Sequence, residues 1–165
     1  MAGHGSQKLF GAFDGPGLEG MAGAMEKMGL RPARTWAMAA ALAEFSGGTL
    51  TALGLFSPLG PIGMLSAMGM ATAKAHWGKP IWVSKGGAEL PVTYAAAFAL
   101  SLSGPGQYAL DQALGIQLPR WFTALTALAA AGTLVYGITA PRPEAPEEQP
   151  AASPAPMAAE QPAAG

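Results

Sequence analysis

Long apolar runs with almost no charged residues constrain what this chain can fold into. The first run, residues 35–55, reads TWAMAAALAEFSGGTLTALGL, and its one charged side chain is Glu44. A helix of about 20 apolar residues is long enough to cross the hydrocarbon core of a bilayer. A carboxylate at that depth is costly, so it normally faces protein or a cavity. Glu44 is therefore both the main objection to a membrane span here and the first candidate for function.

Three further apolar runs follow, and together they predict the fold class. Residues 59–75 and 121–138 resemble the first run in composition. Residues 90–103 would form a helix of only about 21 Å before the helix-breaking Gly-Pro-Gly at 104–106. Only residues 56–58 separate the first two runs, so those helices should pack antiparallel. The sequence therefore predicts an all-α transmembrane bundle with four hydrophobic helices.

Small residues recur at every fourth position on the first two runs. They are Ala39, Ala43 and Gly47 on the first run, and Gly63, Ala67, Ala71 and Ala75 on the second. In lipid, such a face lets two helix backbones approach closely. An Ala-rich composition also produces this spacing by chance, so the pattern leaves both interpretations open.

The cationic residues predict an orientation. If all four runs cross the membrane, all but one of the lysines and arginines fall on the same side. That side holds Lys8, Lys27, Arg31, Arg34, Lys74, Lys79, Lys85 and Arg142, and the other side holds Arg120. Because cytoplasmic loops carry an excess of Lys and Arg, we expect a multi-pass protein of the inner (plasma) membrane with these loops in the cytoplasm.

The composition excludes several functions. The chain has no cysteine, which rules out thiol catalysis, disulfides and Cys-ligated iron–sulfur or zinc sites within it. Its two histidines are remote from each other, and we expect no metal site. A net charge of −1 gives no basic face for phosphates, so nucleic acid is not an expected partner. We expect no cofactor within the chain, and redox chemistry would need a quinone or another subunit.

The composition changes abruptly near the C-terminus. Residues 141–165 read PRPEAPEEQPAASPAPMAAEQPAAG, rich in proline and alanine and without an aromatic residue. Such a segment buries too little apolar surface to offset the entropy cost of ordering it. The sequence therefore predicts a transmembrane bundle over residues 1–140 and a disordered, cytoplasmic tail over 141–165.

Few polar side chains accompany the apolar runs, so each is a candidate site residue. This candidate polar cluster consists of His4, Gln7, Lys8, Glu44, His76, Glu89 and Asp111. Structural roles compete with functional ones: Glu44 could simply bond a neighbouring helix, His76 could be an interfacial residue, and Asp111 could cap a turn. The pattern names no catalytic residue.

Several sequence elements, taken in order, resemble a known family. They are HGSQKLFGAFDGPGLEG at 4–20, AEFSGG at 43–48, the pair Ala75-His76, and GGAELP followed by GPGQYALD within 86–111. Over residues 3–115 this order resembles the DoxX family of small bacterial integral membrane proteins. The resemblance implies a four-helix membrane bundle in which the polar cluster recurs. It also implies a membrane subunit of a quinone-linked redox system, because some relatives belong to thiosulfate:quinone oxidoreductase or terminal oxidase systems.

The resemblance departs from the family at the N-terminus. In DoxX-like proteins the HGxQK element ends the first transmembrane helix, whereas here only Met1, Ala2 and Gly3 precede it. The resemblance therefore implies that most of this helix is missing, either because the true start lies upstream or because this copy has lost it.

Two functions follow as hypotheses. The first is a membrane subunit of an oxidoreductase, such as a thiosulfate:quinone oxidoreductase-like complex, with a quinone as ligand or substrate. A bundle interior around Lys8, Glu44 and His76 would bind the quinone headgroup through hydrogen bonds and handle its protons. The alternative is a non-enzymatic membrane anchor or assembly partner for peripheral proteins. Under both hypotheses the chain lies in a lipid bilayer and binds a redox or peripheral protein. Neither hypothesis decides whether it also forms a homo-oligomer. A small transporter ranks last, because the sequence has no internal repeat.

Overall fold

The computed structural model describes residues 1–141, and the regular structure in that part of the chain is all helical. The helices are α1 (Ala2–Phe10), α2 (Gly17–Lys27), α3 (Ala33–Leu53), α4 (Leu59–Ala71), α5 (Glu89–Leu100), α6 (Leu110–Leu114) and α7 (Arg120–Thr139). A π-helical turn, Thr72–His76, continues α4. The predicted disordered tail lies, from residue 142 onwards, outside the described residues.

The four apolar runs correspond to α3, α4, α5 and α7, which confirms the all-helical fold. Within residues 1–141, α7 is the one helix long and apolar enough to cross a membrane. Helices α4 and α5 contain 13 and 12 residues, fewer than the roughly 20 that a span requires. The observed architecture is therefore a helical bundle in which one helix is a clear candidate membrane span. The predicted arrangement of four membrane-spanning helices is not established.

Contacts between the helices establish their directions. Gly47 of α3 lies against Met64 of α4, and Gly60 of α4 lies against Thr51, so α3 and α4 are antiparallel. Helix α7 runs parallel to α4, because Ser66 Oγ donates to the Ala130 carbonyl at 3.0 Å and later residues of the two helices also meet in order. As a result α3 begins at the end of the bundle where α4 and α7 finish.

Basic side chains gather at that end, which we call the basic end. It carries Lys27, Arg31, Arg34, Lys74, Lys79 and Lys85 on the end of α2, the connection to α3, the first turn of α3, and the segment from the π turn to α5. Arg120 begins α7 at the opposite end. Lys74, one of the residues that predict the orientation, is buried rather than exposed to solvent. It is 8% exposed and donates to the Ala140 carbonyl at 2.6 Å.

Helix α1 packs against the middle of α3 through a glycine. Gly5 is buried, and a Cβ atom added there would meet the backbone of Phe45. Close approach of the two helices therefore depends on the absence of a side chain at this position. Phe10 and Phe45 pack edge to face beside it, with ring centroids 5.7 Å apart.

Gly5→Ala is expected to lower the free energy of unfolding by about 1–3 kcal/mol, the usual cost of forcing a methyl group into packed structure. The matched control is Gly3→Ala in the same helix, where nothing lies within 4 Å of the added Cβ. That variant should gain up to about 1 kcal/mol of helix propensity. Thermal unfolding of both proteins in one detergent checks the prediction, and equal stabilities would contradict the close contact.

Candidate functional site

A partly buried ion pair joins α1 to α3, with the Glu44 side chain 5% exposed and the Lys8 side chain 25% exposed. Glu44 lies near the middle of α3 and is 4% exposed. Lys8 follows Gly5 by three residues, so both lie on the face of α1 that contacts α3. The Lys8 Nζ donates to Glu44 Oε1 at 2.5 Å. The close approach at Gly5 thus brings a cation to the one carboxylate within the apolar run.

The second oxygen of Glu44 is left without a partner. Glu44 Oε2 is buried and has no hydrogen-bond partner among residues 1–141. A carboxylate oxygen that loses water and gains no donor is destabilised, so such atoms are rare in folded proteins. The orphan oxygen therefore marks a position where a donor from outside the chain would be stabilising.

Glu44 borders a cavity of about 400 Å³ between α1, α2, α3, α4 and α7. Its polar lining residues are Lys8, Glu44, Ser66, His76 and Thr133. The rest is apolar and includes Trp36, four methionines and many alanines. The lining positions on α4 extend from Gly63 to His76, which corresponds to a length of about 20 Å. The site is therefore an elongated apolar cavity with an ion pair on its wall.

The small residues at every fourth position have two different roles. At Gly47 an added Cβ would lie 3.1 Å from Met64, so there the spacing does serve close helix packing. Ala39, Ala43, Gly63, Ala67, Ala71 and Ala75 line the cavity instead, and nothing lies within 4 Å of a Cβ added at Gly63. On α4 the small side chains therefore leave open space that forms part of the cavity.

His76 lies at the basic end of the same cavity. Its Nδ1 bonds the Gly86 carbonyl at 2.7 Å. Since a carbonyl oxygen only accepts, Nδ1 carries the proton and Nε2 is the nitrogen left to accept from a ligand or water. The α3–α4 register places Glu44 opposite Ala67, about 13 Å from His76 along α4. A single small headgroup therefore does not reach both residues.

The remaining members of the predicted polar cluster lie elsewhere. His4 and Gln7 bond each other at 3.1 Å on the outer side of α1. Glu89 Oε2 accepts the Val83 N–H at 2.8 Å and so closes the loop before α5. Asp111 is buried, and its carboxylate accepts the N–H groups of Phe56 and Ser57 in the α3–α4 connection. The structure thus brings Lys8, Glu44 and His76 to one cavity and separates the other four from it.

Several lining residues escaped the sequence analysis. Trp36, Ser66 and Thr133 carry no signal that separates them from ordinary helix residues. The methionines of α2 do carry one, because Met21, Met25 and Met28 recur at the spacing of a single helix face. Among residues 1–141, no group of three or more His, Asp, Glu or Cys side chains is placed to hold a metal ion.

The outer surface of α7 indicates the class of protein. Tyr136 stacks on Trp36 of α3 with ring centroids 6.0 Å apart, and α7 otherwise packs mainly on α4. Large apolar side chains cover its other side, including Leu128 at 70% exposed and Val135 at 61%. An apolar helix of this length with so little of its surface covered is typical of a membrane protein.

Comparison with known proteins finds a family match for the N-terminal part of the chain. The DoxX family model matches residues 1–77 and supports the membership of this chain in the DoxX family, which is membrane-associated. The matched part extends from α1 to just past the π turn and so contains Lys8, Glu44 and His76. Glu89 and Asp111 lie beyond it. No curated protein and no solved structure matches the chain.

Proposed function

We propose that this DoxX protein is a membrane subunit of a quinone-linked redox system, and that its cavity binds the quinone headgroup beside Lys8 and Glu44. The observation that carries the proposal is a partly buried ion pair that lines an elongated apolar cavity and leaves one buried carboxylate oxygen unbonded. Ligand sites combine apolar walls with a few convergent polar groups in this way.

The chemistry of the lining fits a membrane quinone. The Lys8 ammonium has three N–H donors, of which one bonds Glu44, so others remain for a quinone oxygen. Trp36 and the methionines offer an apolar, polarisable wall for the ring and its hydrocarbon tail. A bound quinone supplies the capacity to take up two electrons and two protons.

The residues of this chain would transfer protons to and from the quinone, whereas its electrons would come from elsewhere. The Lys8–Glu44 pair lies where the headgroup would sit, within reach for general acid–base catalysis. His76, at the basic end of the cavity, is placed to exchange protons with the aqueous phase. Because the chain has no cysteine and only two histidines, we assign the supply of electrons to a partner protein.

The distribution of charge supports an orientation in the inner membrane. Six lysines and arginines gather at the basic end, whereas Arg120 lies at the other. By the positive-inside rule the basic end, where His76 lines the cavity, would face the cytoplasm. Helix α5 runs antiparallel to α4, because Ser101 just after its end lies beside Ser57 and Pro61 at the start of α4. In this orientation α3, α4, α5 and α7 would alternate in direction as four crossings do, with the shorter helices at a locally thinned bilayer.

Blocking the cavity tests the proposal. Ala67→Phe should weaken binding of decylubiquinone at least tenfold, because the ring would occupy the space opposite Glu44. The matched control, Ala131→Phe, introduces the same ring on the exposed side of α7 and should bind like the wild type. Quenching of tryptophan fluorescence in nanodiscs measures the affinity. The proposal fails if the wild type does not bind the quinone, or if Ala67→Phe binds it equally well.

The alternative is a non-enzymatic membrane anchor or assembly partner. The uncovered apolar side of α7 favours it, since such a surface can pack against another membrane subunit as readily as against lipid. Purification from gently solubilised membranes distinguishes the two functions. A flavin, haem or sulfur-transfer protein at a fixed ratio supports the redox subunit, whereas chaperones and assembly proteins alone support the anchor.

A further inference from the structure

The orphan oxygen of Glu44 bears on which form of the ligand the cavity accepts. In the ion pair with Lys8, the Glu44 side chain is a carboxylate, and both of its oxygens can only accept hydrogen bonds. Oε1 accepts from Lys8 at 2.5 Å, whereas Oε2 has no donor and is closed to a molecule the size of water, so the Glu44 side chain must turn slightly before a ligand in the cavity can bond it. A ligand that satisfies this atom must therefore bring a hydrogen-bond donor of its own.

The other polar groups on the cavity wall do not supply that donor. The Ser66 hydroxyl already donates to the Ala130 carbonyl at 3.0 Å. His76 uses its Nδ1–H on Gly86 and lies about 13 Å away along α4. The Lys8 ammonium donates to Oε1 of Glu44, and no group within residues 1–141 donates to Oε2.

We infer that the cavity prefers the reduced, hydroxyl-bearing form of a quinone, with a ring hydroxyl bound between Lys8 and Glu44; this rests on the proposed function. A hydroxyl both accepts from the Lys8 Nζ and donates to Glu44 Oε2, so it satisfies both partners at once. The carbonyl of the oxidised form also accepts from Lys8, but it leaves Oε2 buried and unbonded. Glu44 is thus a specificity-determining residue for the oxidation state of the ligand.

The preference has a redox consequence. If a protein binds the reduced form of a couple more tightly than the oxidised form, the bound quinone is easier to reduce than the free one. For a two-electron couple, a tenfold ratio of affinities corresponds to about 30 mV. A cavity that prefers the quinol therefore favours electron transfer into the bound quinone from a partner protein.

Anaerobic titration of the full-length protein in nanodiscs tests the inference. Decylubiquinol is expected to bind at least tenfold more tightly than decylubiquinone, by isothermal titration calorimetry. The dimethyl ether of the quinol, which has no donor, should lose this advantage. A potentiometric titration of the bound couple should show a potential raised by at least about 30 mV, the same tenfold ratio in electrical units.

Glu44→Gln provides the sharper comparison. Its amide oxygen can still accept from Lys8, whereas its NH2 group places a donor where Oε2 was, so the variant should bind decylubiquinone as tightly as decylubiquinol or more tightly. The control Glu26→Gln removes an exposed carboxylate that pairs with Arg31 and should keep the wild-type preference.

The outcomes separate the two proposals. Equal affinity of the wild type for both forms, or tighter binding of the quinone, overturns the inference while the quinone site stands. Binding of neither form overturns the quinone site and the inference with it. If Glu44→Gln does not fold, the wild-type ratio and the dimethyl ether still decide the question. A quinol preference that persists in a folded Glu44→Gln protein overturns the role of Glu44.

Discussion

Lys8→Met is expected to lower the free energy of unfolding by about 3–5 kcal/mol, the usual cost of removing one partner of a buried ion pair. Glu44 is 4% exposed, and Lys8 is the one hydrogen-bond partner of its carboxylate among residues 1–141. Without Lys8, both carboxylate oxygens would be buried and unbonded in an apolar cavity. Chemical denaturation of the purified protein in mixed detergent micelles, followed by circular dichroism, measures the effect.

A second variant distinguishes loss of the ion pair from loss of packing. Lys8→Met combined with Glu44→Leu removes both charges, and it should recover most of the lost stability because no charge is left buried. Arg34→Met provides an exposed control. Arg34 pairs with Glu19 on the surface, where the two side chains are 67% and 77% exposed, and its loss should cost less than about 1 kcal/mol. A Lys8→Met protein as stable as the wild type would contradict the buried pair.

Helices α3, α4, α5 and α7 could be predicted from the sequence because their apolar runs have clear boundaries, whereas α1, α2 and α6 lie outside those runs. Gly54, at a φ of 60°, ends α3 in the left-handed conformation that glycine adopts easily. Pro58 precedes the first residue of α4, where the missing N–H of proline costs little. Runs bounded in this way identify helices, and all four were located correctly. They do not identify membrane crossings, and only α7 among residues 1–141 is a clear candidate span.

The site could be predicted only in part. Glu44 was identifiable because a lone carboxylate within an apolar run must find a partner or a cavity. Lys8 and His76 could be grouped with it as the lining of a bundle interior, but the ion pair itself was not predicted, because Lys8 lies 36 residues away in the HGSQK element beside His4 and Gln7. The packing of Gly5 on Phe45 determines which of these side chains faces α3, and this contact is tertiary. The cavity also depends on where α7 packs, which no local pattern specifies.

Asp111 was correctly considered a residue that accepts backbone hydrogen bonds, but its partners lie far along the chain. Its carboxylate accepts the Phe56 N–H at 2.8 Å and the Ser57 N–H at 2.7 Å, while its own N–H donates to the Gly54 carbonyl at 3.1 Å. These bonds tie α6 to the connection between α3 and α4. Asp111 therefore stabilises the end of the bundle opposite the basic end.

Asp111→Ala is expected to lower the free energy of unfolding by about 2–6 kcal/mol, because two backbone donors would each lose an acceptor at about 1–3 kcal/mol. Asp111 is 4% exposed, so water replaces the carboxylate poorly. Asp111→Asn keeps one acceptor oxygen and should lose less. Gln112→Ala changes the next, exposed residue of the same helix and should stay within about 0.5 kcal/mol of the wild type.

The same variant should separate stability from ligand binding. Asp111 does not line the cavity, which begins at Gly63 on α4 and extends away from α6 towards the basic end. Folded Asp111→Ala protein should therefore bind decylubiquinone with wild-type affinity even though its melting temperature falls. A loss of affinity equal to that of Ala67→Phe would mean that the two ends of the bundle are coupled, and that the connection between α3 and α4 positions Glu44. Unchanged affinity would leave the contact of α1 with α3, through Gly5 and Lys8, as the element that positions this carboxylate.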